Sequence, residues 1–576
     1  MNQKLENILN VSLDATEDEL RKADSLSTGY NWRDNTWEII VKYSGSLESI
    51  RNRYNVYIKE LLNYYAIIVA DKATIELISQ EDVIDYVEKP KSLYYQIERT
   101  KTAACVGSVR ADGNILSGKG VIVGVIDTGI DIFDNAFRNS DGTTRILNIY
   151  DQTTGEKYDK QSIDEHIRLN EDLSGGTFSY DNAPGVDNIM HGTDVSYIAA
   201  GSLGVAYEAD IIAVKMGYSI NNQFPRTTSL MDAIDYIIRK AIEYRKPVAV
   251  NISYGCNYGA HNGNTLLESF IDDISKSYRC VICVGSGNEA DKAIHFGGII
   301  NTGQVQTAYL SVGEYQSAID IQIWKNYWDT IDVMLINPRG EQIGIITEGR
   351  INRYETYNTE IITLLGEPSP YNIYQEIYIN LIPKTDYILS GIWQIVLMAG
   401  SIRAGEYNIW LPSSQALGYA TAFNNPTADG TITIPATARN CIAVGAYNAY
   451  TNSYAAFSGR GFDNSIRNVN AGVKPDITAP GVDISIARQR GNDITYRNVT
   501  GTSYAVPVVT GAAALLMQWG IVMGNDRFMY GEKLKAALID GSKPVGLVGI
   551  TRNDNQPDPR TGWGAVCLKN TLNKIL

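Results

Sequence analysis

An unbroken apolar run, Val121 to Ile126, constrains the fold of this chain most strongly, and it leads directly into Asp127-Thr128-Gly129. A strand with one face in water alternates apolar and polar residues. A continuous run instead indicates a central strand of a parallel sheet with helices on both faces. Asp127 then lies at the C-terminal edge of that strand, where ligands and chemistry collect in open α/β sheets. The alternative is a structural aspartate that caps the following turn.

A serine at the start of a second apolar element offers a nucleophile. Gly501-Thr502-Ser503 precedes a run of small and apolar residues that extends to Leu516 and predicts a buried helix. A helix N-terminus carries partial positive charge and unpaired N–H groups, so an oxyanion at an acylated Ser503 would be stabilised by the serine's own amide. Serine is also a common N-cap, and the motif alone does not separate the two roles.

The base that such a serine needs must come from four histidines. Only one of them opens a motif, His191-Gly192-Thr193, which leads into a helix of small apolar residues. The other three, His166, His261 and His295, lie in polar segments and are predicted to be solvated surface side chains.

Asp127, His191 and Ser503 follow the chain order of the subtilisin type of catalytic triad. The blocks around them, VIDTGID, HGT and GTSYAVPVVTG, resemble the signature blocks of subtilisin-like serine peptidases, the subtilase family. The resemblance covers residues 101–295 and 430–576. It implies a subtilisin-like, three-layer α/β fold around a parallel sheet, and a serine endopeptidase in which these three residues are catalytic.

Two further blocks extend the resemblance. The segment VICVGSGNE resembles the strand and turn whose asparagine donates to the oxyanion, which assigns that role to Asn288. Removing such a donor typically costs about 3 kcal/mol of barrier. The segment Asn251 to Gly255 resembles the strand edge that pairs with the substrate backbone, so the predicted substrate-binding residues are Ser253, Tyr254 and Gly255. Backbone pairing suits a polypeptide substrate better than a small molecule.

Residues 36–95 have their own apolar pattern. It predicts a strand at Thr36 to Tyr43, a helix at Leu47 to Leu61, a strand at Tyr64 to Ala70, a helix at Ala73 to Ser79 and a strand at Val83 to Lys89. This outline resembles a ferredoxin-like α+β subtilase propeptide, which implies that residues 1–95 are an intramolecular chaperone and inhibitor. The tail, Lys91 to Gln96, is then expected to lie in the cleft and to be cut near residues 93–97. An unrelated N-terminal α+β domain is the alternative.

The stretch between Asn288 and Cys441 is much longer than the family needs. Polar and apolar residues alternate in segments such as Ile319 to Trp324, and turn signals such as Asn337-Pro338-Arg339-Gly340 separate the segments. This spacing predicts an inserted all-β, jelly-roll-like sandwich, although another two-sheet topology fits as well. The predicted division is a propeptide (1–95), a first catalytic part (96–295), the insertion (296–430) and a second catalytic part (431–576).

The combination of propeptide, subtilase core and inserted sandwich resembles the Csp-type germination proteases of spore-forming anaerobes. That resemblance implies a spore cortex-lytic zymogen as the substrate, and it leaves open whether the propeptide stays bound non-covalently. Two other functions remain. One is a non-enzymatic scaffold or signalling protein whose cleft stays blocked, and the other is a small-ester hydrolase, which the peptide-binding strand disfavours.

The charge and the hydropathy pattern exclude several partners. A net charge of −14 argues against nucleic acid, because an acidic surface repels phosphate. No run of 18 apolar residues occurs, so no membrane span is predicted. Met1 to Arg21 lacks the basic start and apolar stretch of a Sec signal. We therefore expect cytoplasmic synthesis, with a spore-associated location or release by a non-classical route.

No metal or cofactor is expected. Ala200 to Ala206 runs straight into the next strand and omits the loop with which many subtilases hold calcium, and no D-x-D-x-D-G run replaces it. The six cysteines are thinly spread and are expected to be free thiols. Cys280 and Cys283 form a C-x-x-C pair, but they lie in a predicted central strand, which disfavours a zinc or redox role.

Two more positions bear on the chemistry. Asp194 stands where subtilases commonly carry a second histidine. If it shares the buried face of the helix, its charge raises the pKa of His191 and moves the acid limb of activity upward; if it points to solvent, nothing follows. Tyr218 to Thr228 predicts a loop before a helix at Ser229 to Tyr244, and this loop is either a gate for substrate or an ordinary surface loop.

Overall fold

The computed structural model describes residues 2–92, 94–95, 110–111, 114–173, 183–217, 224–346, 349–462, 473–490, 493–546 and 557–576. Most of the predicted cleavage site near 93–97, the first part of the predicted loop at 218–228, and Cys105 lie outside the described residues.

The N-terminal unit, residues 2–92, is an antiparallel sheet with helices. Its helices are α1 (Asn7–Asp14), α2 (Glu17–Lys22), α3 (Asp24–Ser27), α4 (Glu48–Tyr54) and α5 (Lys72–Ile78). Its strands are β1 (Tyr30–Asn31), β2 (Thr36–Tyr43), β3 (Tyr57–Leu61), β4 (Tyr65–Ala70) and β5 (Ile84–Glu88). The strands pair in the order β5-β2-β4-β3, with β1 against the start of β2. The succession β2-α4-β3-β4-α5-β5 is a βαββαβ outline.

The predicted helix from Leu47 to Leu61 is wrong in its second half. α4 ends at Tyr54, because Asn55 adopts the left-handed conformation (φ 49°) and its N–H donates to the Arg51 carbonyl. The chain then extends as β3, whose backbone groups pair with β4. The sequence also did not predict α1 to α3.

The second unit begins with three short strands, β6 (Tyr94–Tyr95), β7 (Arg110–Ala111) and β8 (Asn114–Ile115). The strands that follow in this part are β9 (Ile122–Asp127), β10 (Ile146–Asp151), β11 (Glu156–Asp159), β12 (Asp210–Lys215), β13 (Val248–Ile252), β14 (Tyr254–Gly255) and β15 (Cys280–Gly285). Its helices are α6 (Lys160–Leu173), α7 (His191–Ala200), α8 (Thr227–Tyr244) and α9 (Leu266–Ser277). α8 begins two residues before the predicted Ser229.

The insertion consists of strands. They are β16 (His295–Ile299), β17 (Val305–Val312), β18 (Ile319–Asn326), β19 (Ile331–Ile336), β20 (Gln342–Ile343), β21 (Ile351–Glu355), β22 (Thr359–Leu365), β23 (Tyr374–Pro383), β24 (Gly391–Ala399), β25 (Glu406–Trp410) and β26 (Ala422–Phe423). They form two antiparallel sheets, β16-β25-β18-β23-β22-β21 and β20-β19-β24-β17-β26, which share one apolar core. The insertion is therefore a β-sandwich, and a jelly-roll topology stays a prediction.

The chain then returns to the second unit. Its remaining strands are β27 (Ile442–Asn448), β28 (Ser453–Tyr454), β29 (Ile477–Val482), β30 (Ser485–Arg490) and β31 (Asp493–Asn498). Its remaining helices are α10 (Thr502–Met517), which a π-helical turn extends to Val522, α11 (Gly531–Asp540) and α12 (Leu568–Ile575).

The central sheet has parallel strands in the order β10-β12-β9-β13-β15-β27-β29, with β11 and β28 added antiparallel. Val123 and Val125 of β9 pack in the core that contains α7 and α10, whereas Ile122 and Ile126 pack in the core that contains α8 and α9. The apolar run is continuous because both faces of β9 are covered. This is the expected three-layer α/β fold.

The helix Thr502–Val522 is long and apolar enough to cross a membrane by length and composition, with a mean hydropathy of 1.7. However, 89% of its most apolar window is buried inside the protein, as in the core helix of a globular domain. The absence of a membrane span therefore stays a prediction.

Candidate active site

Asp127 and His191 lie together at the carboxyl edge of the central sheet. Asp127 ends β9 and His191 begins α7, and both side chains are buried. His191 Nδ1 lies 2.6 Å from Asp127 Oδ1, which accepts a hydrogen bond from the Nδ1–H. Burial disfavours the imidazolium, but the charge and hydrogen bond of Asp127 outweigh it, helped by Asp194 and Asp187, so the pKa of His191 is raised above its usual value. Because Nδ1–H donates to Asp127, the neutral ring carries no proton on Nε2.

Asp187, which the sequence analysis missed, organises the start of α7. Its Oδ2 accepts from the N–H and the hydroxyl of Thr193, both at 2.8 Å, and its Oδ1 accepts from the Met190 N–H at 2.7 Å. The Thr128 hydroxyl donates to the same carboxylate at 2.7 Å and accepts from Gly192 N at 2.9 Å. These bonds connect the end of β9 to the first turn of α7. No spacing in the sequence marks Asp187, because it lies in a loop without a motif.

Glycine is required directly after His191. A Cβ at Gly192 would lie 2.3 Å from the Gly129 carbonyl oxygen and 2.9 Å from Asp127 Cβ. The first turn of α7 therefore packs against the backbone that follows Asp127. This close approach explains why Gly follows His in the HGT motif.

Ser503 lies in the first turn of α10, fully buried, as the sequence predicts for a nucleophile at a helix start. The next residue, Tyr504, packs edge-on against the His191 ring at a centroid distance of 5.3 Å. The N-terminus of α10 is thus adjacent to the imidazole. Gly501 adopts φ 149°, which favours glycine at this helix entry.

Asn288 lies at the same helix start. Its Oδ1 accepts from the Thr502 N–H at 3.0 Å and from the Thr502 hydroxyl at 3.2 Å. Its Nδ2 is buried and has no hydrogen-bond partner among the described residues. A buried amide donor without a partner is costly unless a ligand or an intermediate accepts from it. The side chain is therefore arranged as a donor beside Ser503.

The predicted substrate strand lies against this helix start. Ser253 Oγ donates to the Ser503 carbonyl at 3.3 Å and accepts from Asn251 Nδ2 at 3.0 Å. Tyr254 and Gly255 form β14, and both residues are buried.

The tail of the N-terminal unit pairs with β14. Tyr95 lies opposite Tyr254 and Tyr94 lies opposite Gly255 in an antiparallel ladder. Just upstream, the Lys91 N–H donates to Thr227 Oγ1 at 2.8 Å, and the Lys91 carbonyl accepts from the Thr227 N–H at 2.7 Å. The strand edge predicted for a peptide is therefore occupied by this chain's own residues.

Asp194 shares the buried side of α7 and is fully buried. Arg488 Nε donates to its Oδ1 at 3.0 Å, and Arg497 forms a second ion pair with its Oδ2. Burial raises the pKa of Asp194, and the two arginines oppose that shift. Of the two placements considered from the sequence, the buried one is found.

The prediction that His261 and His295 are solvated is wrong. Both are buried, and their rings stack on Trp410 at centroid distances of 4.2 and 4.9 Å. Burial lowers the pKa of each to about 4, so both are neutral near pH 7. His166 is half-buried, with Nδ1 at 2.8 Å from the Ser162 carbonyl.

The five described cysteines are buried and free. Burial raises the pKa of Cys280 and of Cys283 to about 12, which makes both poor thiolates at neutral pH. Among the described residues, no three His, Cys, Asp or Glu side chains are grouped as a metal site. The expectation that calcium is absent stays a prediction.

Comparison with known families and structures agrees with this geometry. The Subtilase family model matches residues 118–368 and 404–564, and the Csp protease B prodomain model matches residues 3–91. The chain therefore belongs to the subtilase family of serine proteases, and its N-terminal unit is a Csp-type prodomain.

Individual relatives lie within the same family. The Clostridium perfringens CspB protease structure is 34% identical, with a TM-score of 0.72 over 80% of this chain and 94% of that chain. The subtilase-type proteinase RRT12 of Saccharomyces cerevisiae is 33% identical over 128 residues, which are 22% of this chain and 23% of that protein. Subtilisin-like protease 10 of Arthroderma otae is 34% identical over 21% of this chain and 27% of that protein. The matches to the two curated proteins thus span about a quarter of their length.

Proposed function

We propose that this chain is a serine endopeptidase whose catalytic residues are Asp127, His191 and Ser503. Asn288 and the Ser503 amide are the oxyanion donors. The 2.6 Å contact between Asp127 and His191, the position of Ser503 at a helix N-terminus and the unpartnered Asn288 Nδ2 among the described residues support these roles. The chemistry uses no metal or cofactor.

In this mechanism, His191 Nε2 removes the proton from Ser503 Oγ as that oxygen attacks a peptide carbonyl. Asp127 holds the ring through Nδ1 and stabilises the imidazolium. The carbonyl oxygen becomes an oxyanion and accepts from the Ser503 N–H and from Asn288 Nδ2. His191 then gives its proton to the leaving amine, and a water hydrolyses the acyl-enzyme by the same route.

The observation that carries the peptide specificity is the pairing of Tyr94–Tyr95 with Tyr254–Gly255. An antiparallel ladder recognises an extended backbone and not a small ester. We therefore assign substrate binding to Ser253, Tyr254 and Gly255, and the first substrate is the prodomain tail, cut near residues 93–97.

For the physiological substrate, our proposal draws on the relatives. The Csp-type prodomain and the similarity to the Clostridium perfringens CspB protease favour a spore cortex-lytic zymogen, acted on during germination. We propose cytoplasmic synthesis with a spore-associated location.

A second candidate is a silent scaffold whose own tail blocks the cleft. The same tail pairing favours it, because an uncut tail would exclude other peptides. The two candidates differ in whether the chain cuts itself.

The intact mass of the full-length chain, compared with that of Ser503→Ala, separates them. Two fragments from the wild type and one uncut chain from the variant support the endopeptidase. Two uncut chains refute self-processing and favour the scaffold. If both are cut alike, a host protease made the cut, and labelling of Ser503 by a fluorophosphonate then decides whether the triad works.

A further inference from the structure

The hairpin of β30 and β31, here called the arginine hairpin (Ser485–Arg490 and Asp493–Asn498), is anchored to the catalytic core by arginines. Arg488 and Arg497 both bind the Asp194 carboxylate, one at each oxygen. Arg490 Nε donates to Asp131 Oδ2 at 2.7 Å. Both aspartates are buried, on α7 and just after β9.

The Asp194 cluster is more than a surface ion pair. The Asp194 side chain is 0% exposed and that of Arg488 is 11% exposed, whereas that of Arg497 is 40% exposed. A carboxylate buried this deeply is tolerated only with paired charges and directed hydrogen bonds. The position and orientation of α7 at this point are therefore tied to the hairpin.

The cluster connects directly to two residues of the proposed triad. Arg488 Nη2 donates to the Met190 carbonyl at 2.9 Å, and Met190 immediately precedes His191. Burial raises the pKa of the hydroxyl of Tyr504, the residue after Ser503; the charge of Asp194 adds to that shift and the charge of Arg497 opposes it. The Tyr504 ring packs against His191. One cluster thus contacts the backbone before His191 and acts electrostatically on the side chain after Ser503.

We propose that Asp194 is a positioning residue. It acts through Arg488, Arg497 and Tyr504 to hold His191 and Ser503 in their relative positions. The inference rests on the proposed triad and adds a requirement for the hairpin. Alignment of a base and a nucleophile is sensitive to small displacements, and a shift of about 1 Å can cost about a hundredfold in rate.

Asp194 also has an electrostatic effect that a packing role lacks. The titratable and charged groups around His191 come from β9, the loop before α7, α7 itself, α10 and the hairpin: Asp127, Asp187, Asp194, Tyr504, Arg488 and Arg497. Asp194 is among the charges that raise the pKa of His191. Because the neutral imidazole is the active base, removal of that charge moves the acid limb of the rate profile to lower pH.

The test is the rate of fluorophosphonate labelling at Ser503 in the full chain, measured from acidic to alkaline pH. We expect Asp194→Asn to lower the plateau rate about tenfold and to move the acid limb to lower pH. Arg497→Lys keeps the charge but loses the planar fork, so it lowers the rate less and leaves the limb in place. It also tests the proposal if Asp194→Asn does not fold.

The matched control is Arg490→Lys, on the same hairpin but paired with Asp131. We expect Ser503 in this variant to be labelled at the wild-type rate. A loss equal to that of Arg497→Lys would mean that the hairpin needs only general anchoring, and this would overturn the assignment to Asp194. An unchanged profile in a folded Asp194→Asn would overturn it as well. A wild type that neither cuts itself nor is labelled would instead refute the proposed triad, and the inference with it.

Discussion

The prodomain is held at two places that differ in chemistry. Its tail, at residues 91–92 and 94–95, is bound at the cleft through hydrogen bonds between Lys91 and Thr227 and a two-residue ladder with β14. Its helices and sheet instead share an apolar core with the inserted sandwich, to which β22 and β23 contribute Ile362, Leu364, Tyr378 and Ile382.

The contact with the sandwich also contains ion pairs and a hydrogen bond between side chains. Arg353 of β21 binds Asp14 at 2.9 Å and Glu19 at 3.0 Å, and Asn380 Nδ2 donates to Ser25 Oγ at 3.0 Å. The opposite face of the prodomain sheet packs on α8 and α9. The sandwich therefore covers a prodomain surface other than the sheet face that packs on α8 and α9.

We infer from this difference that the prodomain can stay bound after its tail is cut. A backbone ladder accepts almost any extended sequence and is lost when the tail leaves the cleft. The buried side-chain contacts with the sandwich do not depend on whether the chain is cut. We therefore expect the cut prodomain to remain attached through the sandwich, and four experiments test this expectation.

The largest effect is expected at Asn288, because the two contacts can be compared only in a chain that cuts itself. Asn288→Ala removes the proposed side-chain donor to the oxyanion and is expected to slow self-cleavage by about 10²–10³-fold. The measurement is the time course of fragment appearance. Asn288→Asp is the control, since it keeps an acceptor for Thr502 without the donor. A wild-type rate in either variant would remove Asn288 from the mechanism.

The next effect is expected at the contact with the sandwich. Leu364 is fully buried in the core shared with the prodomain, and Leu364→Ala is expected to cost about 2–5 kcal/mol. Retention of the cut prodomain should weaken at least about tenfold, measured by size-exclusion chromatography at decreasing concentration.

The matched control is Leu335→Ala, in the core between the two sheets of the sandwich. It should destabilise the insertion without releasing the prodomain selectively. Equal release from both variants would mean that the sandwich holds the prodomain only through its general stability.

A pH effect of intermediate size is expected at Glu376 of β23. Burial, followed by the charge of Glu6, raises the pKa of Glu376 to about 8. Because the folded state binds this proton more tightly than the unfolded state, its stabilisation is complete below about pH 4.5 and is lost as the pH rises to about 8. The wild type should lose a few kcal/mol of unfolding free energy over that pH range, and Glu376→Gln should not show this loss. Thermal unfolding from pH 5 to 8 measures it, and parallel curves for both proteins would contradict it.

The prodomain shows which parts of the fold the sequence determines locally. β2, β4 and β5 were predictable within about a residue, because their apolar pattern agrees with their environment. β3 was not predictable, because its sequence, YIKEL, also fits a helix. It becomes a strand because Asn55, just before it, ends α4 and because β4 supplies backbone partners. α1 to α3 escaped prediction because their apolar residues face a sandwich more than 300 residues away in the sequence.

In the site, the residues with motifs were predictable and their supports were not. His191 was found by its motif, whereas Asp187 lies in a loop and acts through backbone contacts formed only in the fold. His261 and His295 were misplaced because their neighbours in sequence are polar, while in space both rings stack on Trp410. Burial set by distant strands is invisible to local patterns.

The smallest effect is expected at the tail contact itself. Thr227 is buried and its hydroxyl accepts from Lys91 N at 2.8 Å. Thr227→Val keeps the shape but leaves that N–H without its acceptor, which costs about 1 kcal/mol. A synthetic peptide of residues 88–96 should therefore inhibit the variant about fivefold less well than it inhibits the wild type. Thr227→Ser keeps the hydroxyl, so the peptide should inhibit this variant as well as it inhibits the wild type.

Retention of the cut prodomain should not change in Thr227→Val, because the contact with the sandwich is intact. If retention fell as it does in Leu364→Ala, the tail and the sandwich would act as one contact, and the separation of binding from cleavage would fail.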